Sequence, residues 1–268
     1  MLIYEYGYIS EVVSMDIIAI ANHKGGVGKS TTAANLGASI ASQGINTLLI
    51  DMDPQASLTQ ALGIELEDYY NLAGVMGDSK PGTVPIRAAI KQVSDRLGIV
   101  PANLELASTE INLVNRLGRE NVLKNALVNI SDYEIIIIDT PPSLSLLTVN
   151  ALAAADYVII PTLPQAADLR GLRLITSTIE DIKQAINPSL SIMGVLVTQF
   201  DGRLNHHKEA VSLLKDWDIP VFNTRIGRTV KAAESAGVGL PLVDYKPENK
   251  RAIEYQELGK EILQWLKQ

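Results

Sequence analysis

Short aliphatic runs bounded by turn residues alternate along the chain with longer stretches at helical spacing. Ile17 to Ala21 reads as a first buried strand and Ser30 to Ser42 as the helix after it. Thr47 to Ile50 is a second strand, ending on Asp51-Met52-Asp53-Pro54. From about Gly63 to Ala107 the pattern is less regular and is broken by Pro81, Gly82 and Pro85, so short helices and one or two strands are expected. Ile111 to Ile130 reads as a helix, and Glu134 to Ile138 as a strongly apolar strand ending at Asp139. Ser145 to Ala155 is helical, Tyr157 to Pro161 a strand, Leu169 to Ala185 a helix and Ile192 to Val197 a strand. Asn205 to Trp217, Val230 to Ala236 and Glu248 to Lys267 are expected as later helices.

Strands alternating with helices predict right-handed crossovers and an α/β fold: a mostly parallel twisted sheet with helices on both faces. No repeat, low-complexity tract or linker interrupts the pattern, so one domain over residues 15–268 is expected. Residues 1–14 precede the first strong strand and read as an extension or a misassigned start, with no function assigned.

Composition narrows the function. The 268 residues are 47% hydrophobic, 20% charged and 5% aromatic, which suits a covered parallel sheet better than an all-β sandwich. There is no cysteine, which excludes disulfides, thiolate zinc sites and cysteine-held iron–sulfur clusters and fits a cytoplasmic setting. A formal charge of −7 argues against a uniformly basic nucleic-acid coat. Residues 201–251 nevertheless carry nine Lys and Arg against seven Asp and Glu, a mild local excess of positive charge. No apolar run approaches the ~18 residues of a membrane span, and the acidic start is not a secretory signal.

The chemistry concentrates at residues 22–32. The usual phosphate-binding loop is G-x-x-x-x-G-K-[ST], and here the window is His23-Lys24-Gly25-Gly26-Val27-Gly28-Lys29-Ser30, with His23 in place of the first glycine. Gly25, Gly26 and Gly28 let backbone N–H groups crowd around phosphate oxygens at the positive end of the following helix. Lys29 reaches the β- and γ-phosphates, the Ser30 hydroxyl suits Mg²⁺, and Thr31 stands near the α-phosphate. Asp139, at the end of Ile135-Ile136-Ile137-Ile138, emerges where ligands bind in open α/β sheets and where an Asp can hold a magnesium-bound water. Asp51 and Asp53 end the second strand in the same way, and their alternation lets only one face an attacking water. His206-His207 lacks a third ligand nearby and reads as a surface pair rather than a metal site.

In these residues the chain resembles the ParA/MinD group of deviant-Walker ATPases, and within it the ParA (Soj-like) partitioning proteins. The resemblance runs from about Met15 to the C-terminus. It rests on Lys24 to Thr31, Asp51-Met52-Asp53-Pro54-Gln55 and Asp139-Thr140-Pro141-Pro142-Ser143, with support from Asn150 to Asp156, Thr198 to Arg203 and Ile226 to Leu263. It implies an ATP- and Mg²⁺-dependent ATPase in which Lys24 is a signature lysine that crosses to the nucleotide of a second copy in an ATP-bound homodimer. It also implies that Asp53 positions the hydrolytic water and that Ser30, Asp51 and Asp139 organise Mg²⁺. Base contacts are expected from Thr198 to Phe200, Gln199 included, and from Ile226, Gly227 and Arg228.

The resemblance further implies sequence-blind binding of double-stranded DNA through Arg203, Arg228 and Lys231, with Arg225 and Lys250 as looser candidates. A ParB-like partner would stimulate hydrolysis, and the protein would sit on the nucleoid. Two departures concern that region: the proline of an Ile-Pro-Arg motif is Gly227, and a usual arginine is Lys231, which keeps charge but loses the bidentate fork.

Three other readings compete with this one. Membrane positioning of the MinD kind needs a basic amphipathic C-terminal helix, whereas Ile253, Leu258, Ile262, Trp265 and Leu266 are accompanied by Glu254, Glu257 and Glu261. No stable membrane association is expected. An amide-forming synthetase would need a further substrate pocket. A positioner of protein cargo, such as a chemoreceptor array or microcompartment, shares all the chemistry and differs only in partner.

Overall fold

Strand alternation divides the interior into two cores. The computed structural model describes residues 15–65, 70–77, 84–215 and 217–268; the extension at 1–14 and the predicted breakers Pro81 and Gly82 lie outside them. The strands are β1 Asp16–Ile20, β2 Thr47–Asp51, β3 Lys91–Ser94, β4 Leu97–Val100, β5 Ile135–Asp139, β6 Tyr157–Thr162 and β7 Ser191–Val197. They form one sheet in the order β3-β4-β2-β5-β1-β6-β7. Only the β3–β4 pair is antiparallel.

Successive side chains of a strand point to opposite faces. Ile17, Ala19, Leu48, Ile50, Ile136, Ile138 and Val158 enter one core. Ile18, Ile20, Leu49, Ile135, Ile137 and Ile159 enter the other. A strand buried on both faces needs aliphatics at every position, which is why Ile135 to Ile138 shows no alternation. Each fully buried isoleucine contributes about 1.5–3 kcal/mol relative to exposure.

The helix Lys29–Ala41 lies on the second face. Gly37 lets it come close to the sheet, since a Cβ there would stand 2.6 Å from Leu49 Cδ2. The C-terminal helix Lys250–Trp265 packs beside it through Tyr255, Leu258 and Ile262. Trp265 meets Tyr157 edge-on at 4.9 Å. Most of that helix's apolar face is therefore turned inward, while Ile253 stays exposed. Helices Leu146–Ala154, Ala166–Ala185 and Asn205–Lys215 cover the first face.

One predicted helix is wrong. Ile111 to Ile130 is split into Glu105–Leu113, a 3₁₀ turn at Arg119–Asn121, and Val122–Leu127. Gly118 adopts φ 67° between them, a left-handed conformation that ends a helix. The side chain of Asn150 fills the break, accepting from Leu123 N and donating to Arg119 O.

The register sets the functional edge. Ile20 pairs with Asp139, and Asp51 also pairs with Asp139. The last residues of β1, β5 and β2 thus lie side by side at the carboxyl end of the sheet, in the crevice where open α/β sheets bind ligands.

At the rim, Gly63 and Gly239 touch backbone to backbone, both with positive φ, and a Cβ on Gly239 would lie 2.6 Å from Gly63 Cα. Gly239→Ala should therefore cost about 1–3 kcal/mol through combined clash and strain. Urea unfolding of the variant should show that loss without a changed slope.

Candidate functional site

The loop leaving β1 is pinned from both ends. Asn22 is buried; its Nδ2 donates to Pro161 O at the end of β6 (2.7 Å) and its Oδ1 accepts from Lys24 N (3.0 Å). Gly26 and Gly28 take φ 74° and 89°, which an L side chain rarely tolerates. The first helical backbone bond is Thr32 N to Gly28 O. The N–H groups of Lys29, Ser30 and Thr31 therefore have no intrahelical acceptor and point toward the loop. Lys29 folds back over it, 7% exposed, with Nζ donating to Lys24 O at 3.3 Å. Burial pulls its pKa down while Asp139 and Asp53 pull it up, so the cradle carries positive charge from the lysine, the amides and the helix dipole.

From the opposite side, Thr198 Oγ1 donates to Val27 O (2.8 Å) and Gln199 Nε2 donates to Gly26 O (3.0 Å). Gln199 does this at φ 51°, local strain of the kind held at functional positions. Thr198, Gln199, Ile226, Gly227 and Arg228 line, with Gly28 and Thr31, a pocket of about 400 Å³. The structure thus brings the sequence-predicted base-contacting segments together beside the loop. Tyr255 closes the pocket, and burial pushes its hydroxyl up to about 12.

The two strand-end carboxylates differ in their partners. Asp51 is fully buried and accepts from Thr59 N (2.8 Å), Thr59 Oγ1 (2.7 Å) and Asp53 N (3.1 Å). Burial raises its pKa to about 6 and those hydrogen bonds restrain the rise. Asp139 is equally buried; no hydrogen bond of good geometry satisfies its oxygens among the described residues, though the Ser30 hydroxyl stands close enough to favour its ionised form. Burial first, and Asp51 second, push its pKa far above the carboxylate range, with Ser30 and Lys29 opposing. An orphaned buried carboxylate beside a serine and a lysine fits a Mg²⁺ ion held through water. The oxygens of Asp51 also organise the 53–59 segment, and Thr59 passes the linkage on to Ala102 N. Asp53, half-buried, follows directly and accepts from Gln55 N.

Lys24 lies half-exposed on the loop with its Nζ 2.5 Å from Asp168 Oδ1, a carboxylate only 2% exposed on the helix Ala166–Ala185. His23 Nε2 meets Thr178 Oγ1 of the same helix at 3.3 Å. The Thr178 hydroxyl already donates to Leu174 O, so His23 is the donor. The two residues that break the usual loop pattern are thus both held by one helix. Asp168 and the bond from Asn22 to Pro161 escaped the sequence reading because each partner lies more than a hundred positions away, and Thr59 because nothing local marks its contact with Asp51.

Of the basic candidates, Arg203 and Arg228 line a second cavity of about 1100 Å³ together with Arg225, Lys250 and Arg251. Arg203 forks onto Asp201, whose carboxyl it holds well below its usual range. Arg225 lies over the Phe200 ring at 4.9 Å. Lys231 stands apart, paired with Glu234 on its own helix. The histidine pair is not wholly on the surface: His207 is buried and its Nδ1 accepts from Asp201 N at 3.0 Å. No metal-binding group of three His, Cys, Asp or Glu occurs among the described residues.

A left-handed glycine loop, an inserted lysine, and a buried aspartate on the neighbouring strand define a P-loop ATPase. The family described as "AAA domain" matches residues 15–192. The chain is 41% identical over 250 residues to the chromosome partitioning protein ParA of Myxococcus xanthus, covering 92% of this chain and 87% of that one. It is 40% identical over 249 residues to the sporulation initiation inhibitor protein Soj of Bacillus subtilis, covering 92% and 97%. Among solved structures, a Mycobacterium smegmatis protein titled cobyrinic acid a,c-diamide synthase, with bound ATP analogue and magnesium, aligns with TM-score 0.81 and 36% identity over 94% of this chain and 96% of that one. The chain belongs to the ParA/MinD family of P-loop ATPases.

Burial of two adjacent carboxylates disfavours ionisation in the folded state. Since their folded pKa values are raised, stability of the metal-free protein should fall as pH rises from about 4 through 6. Asp139→Asn should raise the melting temperature of the metal-free protein at pH 8 by roughly 2–4 °C for each kcal/mol relieved, and should remove most of the stabilisation that magnesium and nucleotide add together. Thermal melts at pH 4.5 and pH 8, with and without both ligands, check this.

Proposed function

We propose that the chain is an ATP-switched homodimer that binds double-stranded DNA without sequence preference and takes part in DNA segregation, with a ParB-like partner accelerating slow hydrolysis. ATP and Mg²⁺ are its ligands. The observation that carries the reading is Lys24: a loop lysine beside the phosphate cradle, half-exposed, and held by a buried carboxylate of its own chain. A lysine so placed is available to the phosphates of a second copy facing the loop.

The roles follow from position. Backbone amides of the loop and Lys29 hold the β- and γ-phosphates, where added positive charge stabilises the transition state. Ser30 and Asp139 would hold Mg²⁺, which supplies charge neutralisation between the phosphates. Asp53, on the segment that Asp51 fixes, orients the attacking water. Lys24 from the partner copy adds a second cation at the same phosphates, so hydrolysis requires the dimer.

The cavity with Arg203, Arg225, Arg228, Lys250 and Arg251 supports the DNA reading. Its acids, Asp201 and Glu254, are each paired with an arginine. Such contacts are to phosphates and carry no sequence information. No described helix is long and apolar enough to cross a membrane, and the C-terminal helix packs most of its apolar face, Ile253 excepted, inward. Relatives named for partitioning match the chain at 41% and 40%, against 36% for the structure titled as an amide-forming synthase.

The deciding measurement is a DNA titration with ATP, ADP or no nucleotide at 50 and 200 mM salt. Tight binding should appear only with ATP and weaken roughly 40-fold across that range if three phosphates are neutralised; binding independent of ATP, or none at either salt, overturns the reading. Asp53→Ala should form ATP dimers that bind DNA and lose turnover by at least ~10²-fold, read by size-exclusion chromatography and phosphate release. Normal hydrolysis by that variant would remove Asp53 from its water-orienting role.

A further inference from the structure

Gly227 and Arg251 occupy one another's space. Among the glycines with positive φ, Gly227 does not appear, so its backbone conformation does not call for glycine. What calls for it is room: a Cβ built on Gly227 would stand 1.7 Å from Arg251 Nη1 and 2.5 Å from its Cζ. Any side chain at 227 would expel the guanidinium. Gly227 N also donates to Glu254 Oε2 at 2.8 Å, a bond that the proline of the related motif cannot make. The same Oε2 lies 2.9 Å from Arg251 Nε, and both side chains are more than four-fifths buried. Arg251, Glu254 and the Gly227 amide are thus one interlocked unit joining the C-terminal helix to the segment that carries Ile226 and Arg228.

The position of that unit gives it a function. Arg251 lines the 400 Å³ pocket beside Gly28, Thr31 and Gln199, and it also lines the 1100 Å³ basic cavity beside Arg203 and Arg228. Its guanidinium is therefore part of the wall between the two. Arginine has five N–H donors in a rigid plane, and Glu254 approaches the Nε as an ion pair without hydrogen-bond geometry. The Nη groups remain to meet acceptors, which a nucleotide offers as ring nitrogens and ribose hydroxyls. Because Phe200 N donates to Ile226 O at 2.9 Å, displacement of this segment also reaches the Gln199–Phe200 strand end that ties down the phosphate loop.

We propose that Arg251 contacts the base or ribose of the bound nucleotide and, through Glu254 and Gly227, sets the placement of Arg228 in the basic cavity, so that nucleotide occupancy is transmitted to the DNA-binding face. The transmission half rests on the DNA-binding reading above; the nucleotide contact does not. Glycine at 227 and arginine at 251 are then a matched pair, and neither substitution acts independently of the other.

The test measures ADP affinity by calorimetry and DNA affinity by fluorescence anisotropy, with and without ATP, on the full chain. Arg251→Ala and Gly227→Ala should each weaken ADP about 10-fold, the scale of a lost hydrogen bond to a charged group. The double variant should be no weaker than the worse single one, because both changes remove the same contact. Arg251→Lys should recover part of the loss, since charge returns without the fork. In the alanine variants the ratio of DNA affinity with ATP to that without should contract at least ~10-fold.

Unchanged ADP affinity in both single variants overturns the proposal, as does additivity in the double. An Arg251→Ala variant that lowers only the salt slope of DNA binding, by about one contact, would make Arg251 a plain phosphate ligand and also overturn it. Should the unaltered chain bind no DNA at all, the segregation reading fails while the ADP measurements still decide the contact. Melting curves for every variant separate a fold defect from these effects, and the lysine variant retains a readout if the alanine variants unfold.

Discussion

Asp51 and Asp139 end adjacent parallel strands in register, fully buried, at the one edge of the sheet where the phosphate loop also ends. Neither carboxylate is solvated; burial raises the cost of ionising both, and the charge of Asp51 raises it further for Asp139. The molecule resolves this in two ways. Asp51 is satisfied from within, by Thr59 and the Asp53 amide, and so becomes the anchor of the segment bearing Asp53. Asp139 has only Ser30 and Lys29 nearby to favour its charged form, which a magnesium ion with nucleotide would stabilise further. Lys29 lies over the loop beside them and balances part of that charge. The order of strands, the bend of the loop and the strain at Gln199 all serve to bring these groups to one place.

Much of this was legible in the sequence. Continuous aliphatic runs marked the doubly covered strands, and the glycine loop with Lys29 and Ser30 fixed where phosphate sits, because both signals are local. The break at Gly118 was missed since the apolar spacing on either side continues in phase, and only the left-handed turn interrupts it. Asp168 and the Asn22–Pro161 bond were missed for a different reason: their partners stand close only after the sheet has formed. Gly227 was seen as a departure from a family pattern, but its cause, the guanidinium of Arg251, is separated from it by 24 positions.

The basic residues show the same limit from the other side. Arg203, Arg228 and Lys231 look equivalent as isolated charges. In the fold, Arg203 and Arg228 join Arg225 and Lys250 around one cavity, whereas Lys231 does not line it; Arg203 and Lys231 are each paired with a nearby acid. Clustering, not charge count, makes a surface attractive to a polyanion; an acidic chain with a net −7 can therefore still present a basic site.

The contact between Lys24 and Asp168 has a consequence for how two chains would meet. Removing the lysine from a buried carboxylate leaves that charge uncompensated, so the lysine's journey to a neighbour's phosphates is a swap of one anion for another. A swap changes the number of ion pairs little, so the net effect of salt on it is small. Assembly of the pair and its grip on a nucleic acid would thus respond differently to ionic strength: the first nearly indifferent, the second steep. In a cell whose salt content varies, such a protein would let go of its track before it came apart.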